Sequence, residues 1–275
     1  MKKKGIKIFL IVMLIICLIT FTYSTVKIFM WHEDNINTDK IVDEITNNTI
    51  VEEVNESENV EIIGENETLK TDSKKTSIYW SYIQMNLINV NFDELKKKNK
   101  DTKGWIQLSG TNINYPFVQA KDNKYYLTHS FEKKYTDAGW VFLDYRNDIN
   151  NLSKNNIIYG HARLNKTMFG TLKNVLTKKW YNNKDNHVIK LSTEKENTLW
   201  QIFSVYSIKT ETYYITTSFK NDDEFKKFID TVKKRSKYKF DANVNVSDTI
   251  LTLSTCHNTD EKIVVHAKLI KRETR

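Results

Sequence analysis

Short β-rich runs recur through the C-terminal two-thirds of this chain and constrain its fold more than any other feature. They are rich in Val, Ile, Thr and aromatic residues, and turn residues separate them. Strands are predicted at residues 104–108, 113–118, 140–144, 156–159, 187–191, 199–208, 249–256 and 262–270. Such a series is typical of a closed or nearly closed β-barrel. The roughly 200 residues from residue 76 onward are enough for one core of this kind.

Two helices are predicted beside these strands. Asn91 followed three residues later by Glu94 resembles a capping box and indicates a short helix to about residue 100. Residues 222–235 begin with acidic side chains, repeat apolar residues at helical spacing and end with basic side chains. The fold class is therefore mainly β, with an N-terminal helix and a helix inserted between late strands.

The N-terminus contains an apolar run at residues 6–23 that extends weakly to Trp31 and follows three lysines. Its length suits a membrane span of roughly 20 residues, and no small-residue cleavage site follows it. The positive-inside rule keeps the lysines in the cytoplasm. Residues 1–31 are thus predicted to be a cytoplasmic N-terminus and an uncleaved transmembrane signal-anchor of a single-pass cell-membrane protein, with the remaining chain extracellular.

Residues 32–75 are predicted to form an acidic extracellular stalk. Between residues 33 and 72, 13 acidic residues stand against two lysines, with few apolar residues to offset the chain entropy. A weak helical pattern through Ile41, Ile45 and Val51 leaves room for a helix. The folded domain is expected to span residues 76–275, and deletion up to residue 76 is expected to leave it folded and active.

The net charge of +8 conceals a more basic domain, because the acidic segment offsets part of its charge. A basic domain often binds nucleic acid. An extracellular location argues against that partner, and the scattered lysines fit a solvated surface beside an anionic cell envelope.

Cys256 is the first candidate for chemistry, because it ends the predicted strand 249–256. The other cysteine, Cys17, lies in the apolar N-terminal run and cannot pair with it. An unpaired extracellular cysteine indicates either an intermolecular disulfide or a reactive thiol. A small buried hydrophobic residue is the alternative interpretation.

A reactive thiol needs a base, and five histidines outside the acidic segment are candidates: His129, His161, His187, His257 and His266. His257 is adjacent to Cys256, and neighbours on an extended backbone point to opposite faces. His266 lies on the last predicted strand, where a half-buried structural histidine is the more common explanation. His161 follows a β run that ends in glycine, which is a strand-end position like that of Cys256. His161 is therefore the preferred base.

Four motifs together resemble those of class B sortases: Phe-Leu-Asp-Tyr-Arg-Asn at 142–147, Tyr-Gly-His at 159–161, Met-Phe-Gly at 168–170 and Thr-Leu-Ser-Thr-Cys at 252–256. The resemblance extends from about residue 76 to residue 270. It implies an eight-stranded sortase-type β-barrel and a membrane-anchored cysteine transpeptidase of a Gram-positive cell. A monomer without metal or other cofactor is expected.

The resemblance also implies the reaction. Cys256 would cleave an NPxTx-type sorting signal after threonine through a thioester, with His161 transferring the protons. The acyl group would pass to an amine of peptidoglycan or its lipid-linked precursor. The expected partners are surface proteins that carry a C-terminal sorting signal.

Lys262 marks a departure from the family, which has an arginine on the strand after the cysteine. Lysine keeps the positive charge but lacks the planar fork that binds two carbonyl oxygens. Lys262 is the predicted third catalytic residue. Arg163 could substitute for it, and Lys262 as an ordinary surface lysine is the remaining interpretation.

Seven further residues are expected, by resemblance, to contact the substrate: Asn123, Leu127, Tyr159, Thr210, Tyr214, Ile215 and Ser254. Each has an alternative explanation as a residue of the barrel rim. Other functions also stay open at this point: a thiol protease that only hydrolyses, a weakly catalytic binding or assembly protein, and a pilin-type or class D sortase. The helix predicted at 222–235 and the lack of a lid-like segment favour class B.

Overall fold

The computed structural model describes residues 2–54, 59–63, 78–209, 211–255 and 261–275. The α-helices in these ranges are α1 (Lys2–Asn48), α2 (Ile78–Ile83), α3 (Asp93–Lys98), α4 (Lys178–Asn182) and α5 (Asp222–Arg235). The strands are β1 (Val51–Val54), β2 (Val60–Ile62), β3 (Leu87–Val90), β4 (Thr102–Leu108), β5 (Asn114–Val118), β6 (Phe142–Leu143), β7 (Asn155–Gly160), β8 (Val188–Ser192), β9 (Glu196–Lys209), β10 (Ile250–Thr255) and β11 (Glu261–Thr274).

Eight of these strands close into a barrel. β10 pairs with β7 in parallel on one side and with β11 in antiparallel on the other. From β7 the order continues through β6, β5, β4, β8 and β9 to β11, so the sheet returns to β10. The predicted eight-stranded barrel is confirmed, and closure satisfies backbone groups that an open sheet would leave at its edges.

Large aromatic side chains fill the main core. Trp105, Trp140 and Trp200 come from distant parts of the sequence and are fully buried. They join aliphatic residues of most barrel strands in one continuous cluster. Apolar burial on this scale is the dominant favourable contribution to folding.

Helix α5 covers a second core outside the barrel. It begins at the N-cap Asn221, whose side chain accepts a hydrogen bond from the backbone of Glu224 at 2.9 Å. Its buried residues pack against β9 residues that include Phe203 and Tyr206. The helix predicted at residues 222–235 is thus present with the same bounds.

The acidic segment differs from its prediction as a stalk without packed structure. Helix α1 continues through it to Asn48, and Ile45 is buried against the main core. β1 then pairs with β3, and β2 pairs with β11. The described part of the segment therefore packs on the barrel, while the predicted domain boundary at residue 76 falls outside the described residues.

Ion pairs give the physical reason for this difference. Asp34 contacts Arg163 at 3.2 Å, and Glu44 pairs with Lys98. The acidic charge that predicted self-repulsion is instead placed against the basic surface of the domain. Because the partners lie far apart in sequence, local composition gave no sign of them.

Candidate active site

The C-terminal ends of β7 and β10 meet at one rim of the barrel, since the two strands are parallel neighbours. Thr255, the last residue of β10, pairs with Gly160, the last residue of β7. His161 follows Gly160 directly. Cys256 follows Thr255 in the sequence but lies outside the described residues, as does His257. The ends of the two strands singled out in the sequence therefore share a rim.

His161 is partly exposed and is oriented by a backbone carbonyl. Its Nε2 lies 2.7 Å from the carbonyl oxygen of Leu127. A carbonyl oxygen only accepts hydrogen bonds, so Nε2 carries a hydrogen and donates it. The fixed tautomer makes Nδ1 the ring nitrogen suited to proton transfer.

Gly139 leaves room for this imidazole. Its φ of +58° lies in the left-handed region that favours glycine. A Cβ at this position would lie 2.5 Å from the carbonyl oxygen of Tyr126 and 2.9 Å from Cδ2 of His161. A larger residue would therefore strain the backbone and displace the ring.

A buried carboxylate organises the polar groups beside β7. Asp144 is fully buried and accepts hydrogen bonds from Arg146, whose Nε lies 2.8 Å from Oδ1 and Nη2 2.6 Å from Oδ2. Asn123 donates to Oδ2 at 2.9 Å, and the hydroxyl of Tyr159 donates to it at 3.0 Å. We call Asp144, Arg146, Asn123 and Tyr159 the Asp144 cluster.

Burial alone would raise the pKa of Asp144, because it removes the carboxylate from water. Hydrogen bonds from Arg146 and Asn123, together with the charge of Arg146, outweigh burial and hold the pKa of Asp144 below its usual range. The ion pair in turn raises the pKa of Arg146, although burial opposes this. Asp144 and Arg146 are therefore both charged at neutral pH.

The Asp144 cluster reaches two predicted substrate-binding segments. Asn123 belongs to it directly, and Nη2 of Arg146 also donates to the carbonyl oxygen of Ile215 at 2.9 Å. Asp144 and Arg146 appear in the sequence analysis only as members of the motif at residues 142–147, without a predicted role. An acidic residue at a strand end, followed two residues later by arginine, was the signal that could have identified them.

Tyr214 and Ser254 lie together but are buried. The hydroxyl of Tyr214 is 3.1 Å from Oγ of Ser254, and each residue is 1% exposed. Their contact joins the turn at residues 213–215 to β10. Thr210, another predicted substrate residue, lies outside the described residues.

Lys262 lies at the same end of the barrel as Thr255. It is a half-buried residue near the start of β11 and pairs in register with Ile208 of β9. The backbone N–H of its neighbour, Ile263, donates to Oγ1 of Thr255 at 2.9 Å. By contrast, the side chain of Arg163 is 9% exposed and is engaged with Asp34 and Asn35 of α1.

Three other histidines, which were weighed as candidate bases, make contacts typical of structural residues. His266 is completely buried between Thr252 and the hydroxyl of Tyr206, and burial lowers its pKa to about 3. His187 is buried as well, and burial lowers its pKa to about 4 despite a bond to the carbonyl of Tyr181. His129 stacks on Tyr125 and bonds to its carbonyl oxygen.

Within the described ranges, no group of three or more His, Cys, Asp or Glu residues is arranged to hold a metal ion.

A family model, two relatives and a solved structure that are similar to this chain all come from the same family. The sortase-domain family model matches residues 106–270. Over 184 residues the chain is 41% identical to sortase B of Staphylococcus aureus, covering 66% of this chain and 75% of that protein. Over 183 residues it is 36% identical to sortase B of Listeria monocytogenes, covering 65% and 74%. The solved S. aureus sortase B–substrate complex superposes with a TM-score of 0.62 and 41% identity, covering 66% of this chain and 84% of that one.

Proposed function

The chain belongs to the sortase family as a cysteine transpeptidase of the sortase B type, and we propose that it cleaves an NPxTx-type sorting signal after its threonine. We further propose that it transfers the resulting surface protein to an amine of peptidoglycan or its lipid-linked precursor. The observation that carries this proposal is the parallel pairing of β7 and β10, which supports joint action of His161 and Cys256 at one rim.

In the first step the thiolate of Cys256 attacks the carbonyl carbon of the threonine. A carbon–sulfur bond forms, the scissile carbon–nitrogen bond breaks, and the departing amine takes a proton from Nδ1 of His161. The hydrogen bond between Nε2 and the carbonyl oxygen of Leu127 supports this assignment, because it commits Nε2 to the backbone and so favours Nδ1 for proton transfer. The product of this step is a thioester on Cys256.

In the second step an amine of the cell wall attacks the thioester carbonyl. The amine nitrogen gives a proton to Nδ1 of His161, the new amide forms, and the thiolate of Cys256 departs. His161 thereby returns to its protonated form, and no proton is gained or lost over the cycle. Water competes with the amine, so slow hydrolysis is expected when no acceptor is present.

We assign the positive group of the site to Lys262, which would stabilise the oxyanion or hold the peptide carbonyls. Two observations support this assignment over Arg163. Lys262 lies near the start of β11, at the same end of the barrel as Thr255, whereas the guanidinium of Arg163 is engaged with α1.

The peptide groove is proposed to lie between the segment at 123–127 and the turn at 213–215. Asn123, Leu127, Thr210 and Ile215 would contact the sorting signal. Tyr159, Tyr214 and Ser254 are buried, so their part would be to support the wall of the groove. The Asp144 cluster links both segments and would fix the width of the groove before the peptide arrives.

The N-terminal part of α1 is long and apolar enough to cross a membrane. We propose that it is a single-pass anchor that leaves the barrel outside the cell. The S. aureus relative was solved with a substrate, which supports sorting-signal peptides as the substrate class here.

Labelled NPxTx and LPxTx peptides, each incubated with the full chain with and without an added amine, test this function. We expect cleavage after threonine in the NPxTx series and a peptide–amine product when the amine is present. Cys256→Ala is the matched control and should give neither product. Cleavage without any amide product would instead indicate a hydrolytic thiol protease, and preference for LPxTx would contradict the assigned signal.

A further inference from the structure

The exposure of α1 shows which of its residues first contact the barrel domain. Residues 4–33 of the helix are exposed throughout, and Asp34 and Asn35 are the first residues that the rest of the described chain covers. The described part of the barrel therefore reaches no further toward the N-terminus of α1 than about Asp34. The groups that contact Asp34 form the edge of the domain on that side.

This edge lies close to the end of the apolar span. Trp31 is the last residue of the apolar run, and tryptophan is enriched where a span leaves the hydrocarbon for the headgroup region. Asp34 lies three positions after it, which is about 4.5 Å of helix at about 1.5 Å per residue. The headgroup region itself is roughly 5–7 Å thick on each side of the bilayer.

Two short loops contact α1 at this level. Thr136 donates a hydrogen bond to Asp34, and Arg163 bonds to Asp34 and Asn35. Each loop is closed by an isolated β-bridge, between His129 and Tyr135 in one and between Ala162 and Met168 in the other.

Each loop presents an exposed large side chain next to its contact with α1. Tyr135 is 74% exposed and precedes Thr136, while Leu164 is 84% exposed and follows Arg163. Leu164 is the most exposed large hydrophobic residue in the described part of the chain. Among the residues that the structure describes, none covers this side chain.

Exposed lysines flank these two side chains. Lys166 lies two residues after Leu164, and Lys133 and Lys134 precede Tyr135. Lys133 and Lys134 are ion-paired with Asp101 and Glu132, so the apolar contact rather than charge must supply most of the affinity. Lys166 lines a pocket with Asp39 and Thr46, so it lies beside a part of α1 that is further from the apolar span than Asp34. We call Tyr135 and Leu164 the membrane-facing patch.

We propose that the membrane-facing patch inserts into the outer surface of the bilayer, with Leu164 and Tyr135 entering the headgroup region. An amphipathic tyrosine ring and an exposed aliphatic side chain are side chains that this interface accommodates. The inference rests on the proposed role of α1 as an anchor.

Contact between the patch and the membrane would affect the second substrate, the amine acceptor. Leu164 is three residues from His161, so a seated patch holds the catalytic rim beside the membrane. An amine carried on a lipid in the same bilayer would then reach the thioester without leaving the surface. The patch thus favours a lipid-linked acceptor over an amine in finished cell wall.

Site-directed spin labelling of the full chain in vesicles of anionic phospholipid tests the proposal. The label is attached at Leu164→Cys in a Cys17→Ala, Cys256→Ala background. We expect high collision with membrane-soluble oxygen and low collision with an aqueous nickel chelate. A label at Lys227→Cys, an exposed position on α5, is the aqueous control and should show the reverse.

A label at position 164 that the nickel chelate reaches as freely as at position 227 would overturn the proposal. The same holds if that label is immobilised yet still reached by the chelate, because it would then contact protein instead of lipid. Neither result depends on catalysis, so the transpeptidase assignment is tested separately. As a second measurement, Leu164→Asp should slow transfer to a lipid-linked amine while cleavage of a soluble peptide stays unchanged.

Discussion

At the scale of single residues, exposure and hydrogen bonding separate His161 from the buried histidines. His161 is partly exposed at the rim, whereas His266 lies in the interior between two hydroxyl groups. Thr252 donates to Asn155, so Nδ1 of His266 donates to Thr252 and Nε2 accepts from Tyr206. One histidine is thus available for proton transfer, and the other holds strands together.

Alanine variants of these two histidines should have opposite effects. His161→Ala should lower kcat/KM for peptide cleavage by about 10²–10⁴-fold, as expected for a lost general acid–base, with the melting temperature unchanged. His266→Ala should instead lower the free energy of unfolding by about 1–3 kcal/mol, because it leaves buried hydroxyls unpaired. Peptide kinetics and thermal melts on both variants check this. An inactive His266→Ala with normal stability would show that the base was assigned wrongly.

Substitution of Lys262 tests the positive group of the site. Lys262→Ala should lower the cleavage rate by about 10²-fold or more, since loss of a donor to a developing oxyanion has that effect. Lys262→Arg should retain or raise the rate, because arginine restores a two-pronged donor. Arg163→Ala is the control and should be mild in peptide assays. A normal Lys262→Ala beside an inactive Arg163→Ala would transfer the role to the arginine.

Residue-level predictions relied on local motifs and missed contacts between partners that are distant in the sequence. His161 was identified from a strand end followed by a histidine. Asp144 and Arg146 received no role, because their partners Asn123 and Ile215 lie 21 and 69 positions away. Hydrogen bonds across such separations depend on the register of the folded barrel, which the sequence does not show directly.

At the scale of elements, periodicity predicted most of the domain. The predicted strands correspond to β4–β11, and α5 has its predicted bounds, because alternation and helical spacing are local signals. The continuation of α1 was left open as an alternative through Ile41 and Ile45, but its packing against the barrel was not predicted. Its stability depends on ion pairs such as Asp34 with Arg163, 129 positions apart, and on burial of Ile45. Deleting residues up to 76 would remove these contacts, so we now expect that truncation to destabilise the barrel.

A matched pair of substitutions in α1 measures how much its packing against the barrel contributes to stability. Ile45 is 3% exposed and packs in the main core, so Ile45→Ala should lower the free energy of unfolding by about 2–5 kcal/mol. Ile36, on the same helix, is 40% exposed. Ile36→Ala should change the free energy of unfolding by less than about 0.5 kcal/mol. Denaturant unfolding of the full chain in detergent compares the two. Equal, small effects would mean that the helix contributes nothing to the stability of the barrel.

At the scale of the whole molecule, the fold buries His187 and His266 in their neutral forms. Burial lowers their pKa values to about 4 and about 3, against 6.5 for an ordinary histidine. The unfolded chain therefore binds more protons than the folded chain below about pH 6.5. Stability contributed by these residues is present above that pH and is lost as the pH falls toward the folded pKa values.

Denaturant unfolding between pH 7 and pH 4.5 should show this loss. Each histidine should lower the free energy of unfolding by up to about 1.4 kcal/mol per pH unit within this window. His187→Gln removes one titrating group and should make the dependence shallower. If wild type and His187→Gln lost stability at the same rate, buried histidine would not be the cause.

The most direct test of the central claim is the intact mass of the full chain during reaction with an NPxTx peptide. We expect a mass increase equal to the acyl fragment that ends in threonine, its release by added amine, and its absence in Cys256→Ala. His161→Ala should accumulate little adduct, because the leaving amine lacks its proton donor. Continued cleavage by Cys256→Ala, or cleavage by wild type with no adduct on Cys256 under any trapping condition, would contradict the thioester mechanism.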